Sequence, residues 1–123
     1  DPRGAICWYF PDTREQFRVS GVLTLVDETA VEPELRQARE DLWSELSDET
    51  RLSFTWPTPG EPRDHSVRYA SSPPDPSRPV AAFCLMILTA TEVDHLELQG
   101  SPQHRWKYKA DFQGRWSGRE VNP

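Results

Sequence analysis

At 123 residues the chain has room for one domain with a real core, and any sizeable cofactor must lie at its surface or between subunits. Fourteen basic against twenty acidic side chains leave a net charge of -6, which opposes general attraction to nucleic-acid phosphates or to anionic membrane surfaces. The longest apolar run, residues 80–88, is strand-sized and well short of the about 18 residues a membrane helix needs.

The first predicted element is a strand over residues 5–10, entered directly after Asp1-Pro2-Arg3-Gly4. With no initiator Met or leader ahead of it, the chain is expected to be the C-terminal part of a longer protein. Pro11-Asp12-Thr13 forms a turn, since Pro fixes one dihedral and Asp bonds the backbone locally. A second strand follows over 16–26. Phe17, Val19, Leu23 and Leu25 fall on its apolar face and Gln16, Arg18, Ser20 and Thr24 on its polar one, as a half-buried barrel strand requires.

Pro33 sits at a favoured first helical position, and Leu35, Ala38, Leu42, Trp43 and Leu46 recur at helical spacing. Nine carboxylates between Asp27 and Glu49, against Arg36 and Arg39, fit a solvated helix face better than a catalytic cluster. Ser47, followed by Asp48 and Glu49, caps a second short helix running towards Phe54. Residues 57–79 hold seven of the twelve prolines and are expected to form a long, mobile loop without regular structure.

Strands are then expected over Val80 to Thr89, apolar on both faces like a central strand, and over Glu92 to Gln99. Gly100-Ser101-Pro102 turns the chain into a strand in which Arg105, Lys107 and Lys109 alternate with Trp106, Tyr108 and Ala110. The Gln113-Gly114 turn leads to a last strand near Trp116. Cys7 and Cys84 lie in apolar runs with no partner at ligand spacing and are expected to be buried free thiols in a reducing, cytoplasmic compartment. Organelle targeting is left open by the expected upstream sequence. His65, His95 and His104 match no metal-ligand spacing, so no metal is expected. No Gly-rich phosphate loop, Gly-x-Ser-x-Gly elbow or Cys-x-x-Cys pair occurs.

Two ordered segments carry a family resemblance. The first is the run from Cys7-Trp8-Tyr9-Phe10-Pro11 through Thr13-Arg14-Glu15-Gln16 to Gly21. The second runs from Val93-Asp94-His95-Leu96 through Gly100, Pro102 and Arg105-Trp106-Lys107-Tyr108 to Trp116 and Val121-Asn122-Pro123. Together they resemble the pyridoxamine 5'-phosphate oxidase-like family of FMN-binding split barrels, in its cyanobacterial and plant branch. The resemblance implies a mainly β fold with helices, a split β-barrel lacking its first strands, with residues 1–123 as a partial domain.

It also implies that Gln16 reaches the flavin's pyrimidine edge and that Arg105 reaches the ring carbonyls and N1 region, where negative charge develops on reduction. A looser match, Leu52 to Gly60, implies that Trp56 lies against the cofactor; its alternative is a core aromatic. Oxidases of this family place an Arg and a His just before the flavin-contacting Arg to hold substrate, whereas this chain has Ser101 and Gln103. A family Trp on the preceding strand is replaced by Leu96. The expected function is therefore an FMN-dependent oxidoreductase of unassigned substrate, working as a homodimer with FMN at the subunit interface. No nucleic acid or membrane partner is expected, and no catalytic side chain is assigned. The alternatives are a binding module that carries flavin or haem without turnover, and an inactive truncated fragment.

Overall fold

A computed structural model describes residues Asp1–Pro123. Five strands, β1 (Arg3–Phe10), β2 (Glu15–Val26), β3 (Leu85–Glu97), β4 (His104–Ala110) and β5 (Trp116–Val121), form one sheet in the order β1-β2-β3-β4-β5. The β1/β2, β3/β4 and β4/β5 pairs are antiparallel. Two helices, α1 (Pro33–Glu45) and α2 (Asp48–Ser53), fall between β2 and β3. The chain divides into two compact units, a sheet unit of residues 1–24 and 87–123 and a helical unit of residues 25–86.

In the sheet unit, chain punctuation follows local chemistry. Residues 11–14 turn β1 into β2, with Arg14 in the left-handed region at φ 56°. Gly114, at φ 77°, supplies the conformation that the turn before β5 needs. The Leu98 amide donates to the Arg14 carbonyl at 2.9 Å, fixing the end of β3 beside the start of β2. At Gly21 a Cβ would meet the Thr89 carbonyl oxygen at 2.0 Å, so only glycine permits this backbone approach.

In the helical unit, Pro33 starts α1, and Ser47 Oγ accepts from the Thr50 amide to cap α2. The core is aromatic: Trp43 is fully buried, with Phe83 at 5.1 Å and Phe54 at 5.7 Å between ring centroids. The Pro-rich stretch contains no helix or strand, as expected. Asx turns at Asp64 and Asp75 order it locally, and Trp43 Nε1 donates to the Asp75 carbonyl at 2.9 Å, tying it to α1.

Four expectations are corrected. The apolar run at 80–88 does not start a strand at Val80: Phe83 closes a turn onto Val80, and one strand then runs unbroken from Leu85 to Glu97, absorbing the two expected there. Arg39 is 7% exposed instead of solvated. Its Nε donates to the Phe83 carbonyl and its Nη2 to the Val80 carbonyl, so its charge is satisfied by loop backbone. Cys7 and Cys84 are free, as expected, but exposed. Cys7 lies on β1, an edge strand paired on one side only, and Cys84 lies in the turn before β3. Finally, the apolar face read for β2 fails beyond Gly21: Leu25 is 70% exposed and Val26 is fully buried, both lying past the point where the chain enters the helical unit.

Candidate functional site

Alternation along strands gives the sheet unit two chemically distinct faces. On one, Arg105, Lys107 and Lys109 of β4 stand opposite Leu96, Asp94 and Glu92 of β3, and opposite Val121, Arg119 and Ser117 of β5. Arg18 and Ser20 of β2 line a cavity of about 620 Å³ together with Glu92, Asp94, Lys107, Tyr108, Lys109 and Arg119; Arg105 and Gln16 are not among its lining residues. Four cations against two carboxylates is an excess of positive charge, on a chain whose net charge is -6.

Arg105 is the best-positioned cation on this face. Its Nε donates to Asp94 Oδ1 at 2.9 Å and its Nη2 to Asp94 Oδ2 at 2.7 Å, a forked pair that fixes the guanidinium plane. The Arg105 hydrogen bonds hold the Asp94 carboxyl below the usual carboxylate range, and the same bonds raise Arg105 above its ordinary value. Lys107 lies 3.8 Å from Asp94, and Lys109 pairs with Glu92 at 3.0 Å. Because Asp94 holds only Nε and one Nη2 hydrogen, the remaining guanidinium N–H groups can serve a ligand.

Gln16 is half-buried on β2, opposite Tyr9 of β1, and strand alternation places it on the face of Arg18 and Ser20. The structure therefore brings Gln16 and Arg105 to one side of the sheet. Trp56 is not part of that unit: it is 53% exposed in the helical unit, edge-on to Tyr69 at 5.9 Å, and lines a separate cavity of about 720 Å³ with Phe54, Arg63 and Val67. Ser101 is exposed and Gln103 half-buried in the segment before β4, and Leu96 pairs with Arg105.

The opposite face holds a group that motif reading passed over. Glu15, His95 and Glu97 present ligand-type atoms within 4.8 Å of one another, and His95 Nε2 lies 3.0 Å from Glu15 Oε1. Eighty residues separate Glu15 from His95, so no local motif spans them. The available signals were His95-x-Glu97, a strand spacing that puts both side chains on one face, and the placement of Glu15 at the start of the neighbouring strand.

No family model matches the chain. It is 34% identical, over 99% of its length, to pyridoxine/pyridoxamine 5'-phosphate oxidase 2 of Arabidopsis thaliana, and covers 63% of that protein. Among solved structures it is similar to a pyridoxamine 5'-phosphate oxidase-related, FMN-binding protein from Nostoc punctiforme, with a TM-score of 0.93 and 51% identity, covering 100% of this chain and 64% of that one. It also shares its fold with PhzG of Burkholderia lata, solved with tetrahydrophenazine-1-carboxylic acid, at a TM-score of 0.67 and 15% identity, covering 99% of this chain and 59% of that one. The chain spans just under two thirds of the length of the first two.

Proposed function

We propose that this chain, which belongs to the pyridoxamine 5'-phosphate oxidase-like family, binds FMN on the Gln16 and Arg105 face of its sheet and serves a flavin-dependent oxidoreductase. The observation that carries the reading is the Asp94-anchored guanidinium of Arg105, oriented by two hydrogen bonds yet retaining free donors beside a cation-lined cavity. An anionic cofactor with a planar, carbonyl-edged ring fits that donor set. The cavity volume also lies within the roughly 300–1,000 Å³ usual for cofactor and ligand sites.

When bound, FMN supplies reversible acceptance of a hydride or of single electrons. The chain's own residues bind and orient. Arg105 offers forked N–H donors and a fixed positive charge, which favours an anionic reduced ring. The Gln16 amide can donate and accept at the same edge. Asp94 is a positioning residue that keeps the Arg105 plane in place. A homodimer with FMN at its interface belongs to the same proposal, and the open edges of β1 and β5 give a physical reason for association.

A second reading, a flavin carrier without selective turnover, is favoured by Ser101 and Gln103, which replace the family's substrate-holding Arg and His. Anaerobic reduction of FMN-loaded protein followed by trials of candidate acceptors separates the two. Acceptor-selective reoxidation faster than that of free FMN supports the oxidoreductase, and equal rates for every acceptor support the carrier. Failure of the protein to retain any FMN through gel filtration would remove both.

A further inference from the structure

The sheet face opposite the proposed flavin site carries a constellation that the flavin reading does not use. Glu15 projects from the start of β2, and His95 and Glu97 lie two residues apart near the end of β3. Their ligand-type atoms converge within 4.8 Å. The His95 side chain is only 12% exposed, and its ring stacks on Phe17 at 4.1 Å between centroids and 8° between planes. Packing therefore holds the imidazole plane, while Nε2 points to Glu15 at 3.0 Å.

The partner assignment around this cluster is uneven. Glu15 is paired with His95 and Glu120 with His104, whereas half-buried Glu97 has neither an ion pair nor a hydrogen bond of its own. Two carboxylates thus converge on one imidazole, where the start of β2 lies beside the end of β3. Half-burial strengthens the repulsion between like charges, and a cation between them would relieve it.

We propose that Glu15, His95 and Glu97 form a binding site for one divalent first-row transition cation. Two hard carboxylate oxygens and one borderline imidazole nitrogen suit zinc, manganese or ferrous iron, and three protein ligands leave positions for water or a further ligand. The geometry needs little change. Zinc bonds of about 2.0–2.2 Å in a tetrahedral site set donors roughly 3.4 Å apart, and Glu15 and His95 already stand at 3.0 Å. Rotation of the Glu97 side chain brings in the third donor. Zinc binds more tightly than manganese, following the general affinity order, and magnesium does not compete because imidazole is a poor ligand for it.

The test is calorimetric titration of the whole chain, stripped with chelator, with zinc chloride and then manganese chloride. The expected result is a single saturable zinc equivalent, with Glu97→Gln and His95→Gln each lowering affinity by at least about tenfold and His65→Gln, in the Pro-rich stretch of the helical unit, leaving it within about twofold. Should either first variant misfold, Glu15→Gln on the other strand provides the same readout. Cobalt substitution reads the ligand set independently, since its visible band should change in the Glu97→Gln protein. Absence of saturable binding, unchanged affinity in all three ligand variants, or loss of binding on His65→Gln alone would each overturn the proposal.

Discussion

In the helical unit, Arg39 and Arg51 are buried and their bonds end mainly on backbone: Arg39 on the carbonyls of Val80 and Phe83, Arg51 on those of Trp43, Ser44 and Leu46, with Asp48 as its one carboxylate partner. In the sheet unit, Arg105 is half-buried and is held by the Asp94 carboxylate alone. The same side chain therefore performs two tasks. Guanidinium groups that saturate carbonyls fix chain geometry, cap the end of α1 and tie the approach to β3 onto α1. A guanidinium anchored by one carboxylate is oriented while still able to bind. In this protein the burial of a charge and the nature of its acceptor separate the structural arginines from Arg105, whose remaining donors are the ones proposed to meet a ligand.

The sharpest way to strain that contrast is to damage the helical core. Trp43→Ala removes a fully buried indole packed edge-on to Phe54 and tilted against Phe83, and is expected to cost about 3–5 kcal/mol of stability. Urea unfolding followed by circular dichroism measures it, and a cost below about 1 kcal/mol would mean that the core is not centred there. Next, Arg39→Met keeps much of the packing but strands two carbonyl acceptors, for an expected loss of about 1–3 kcal/mol in the same experiment. In the sheet unit, by contrast, Arg105→Ala should change stability by no more than about 1 kcal/mol, because it removes a partly exposed pair. If the Arg105 variant were the more damaging of the two, the division between structural and ligand-facing arginines would fail.

The pH responses are smaller and of opposite sign. Arg105 depresses the Asp94 carboxyl, so the pair's stabilising effect is present above the ordinary Asp range and is lost as pH falls through the depressed value. Glu120, first by its hydrogen bond and then by its charge, raises the His104 imidazole. That contribution is present below the ordinary imidazole range and is lost as pH rises through the raised value. Side-chain NMR titration should show a higher midpoint for His104 in the parent than in Glu120→Gln; an unchanged midpoint would show that the 2.7 Å pair has no effect on the proton.

Local signals revealed the elements better than the charges. Pro33, the Ser47 cap and Gly114 marked where α1, α2 and the last turn occur, because each acts through its own backbone or its nearest neighbours. The burial of Arg39 was not legible: its acceptors lie 41 and 44 residues away, and a cation among carboxylates ordinarily faces water. The apolar run from Val80 suggested a strand because composition does not distinguish a buried strand from a buried turn around Phe83. Exposure of Cys7 depends on β1 being an edge strand, a property of sheet order alone. Of the candidate site, Gln16 and Arg105 were legible as residues, while Asp94 as the anchor of Arg105, and the convergence of Glu15 on His95, emerged only from strand register.

The proposed function rests on Arg105, oriented by Asp94, facing the cofactor. FMN titration followed by quenching of flavin fluorescence, in the parent chain, Arg105→Ala and Arg36→Ala, tests it most directly, Arg36 being an exposed arginine outside the sheet unit. The expected result is saturable binding by the parent, a loss of at least about tenfold in affinity for Arg105→Ala, equivalent to about 1.4 kcal/mol, and no change for Arg36→Ala. Equal affinity in all three proteins, or no binding by a folded parent, would contradict it.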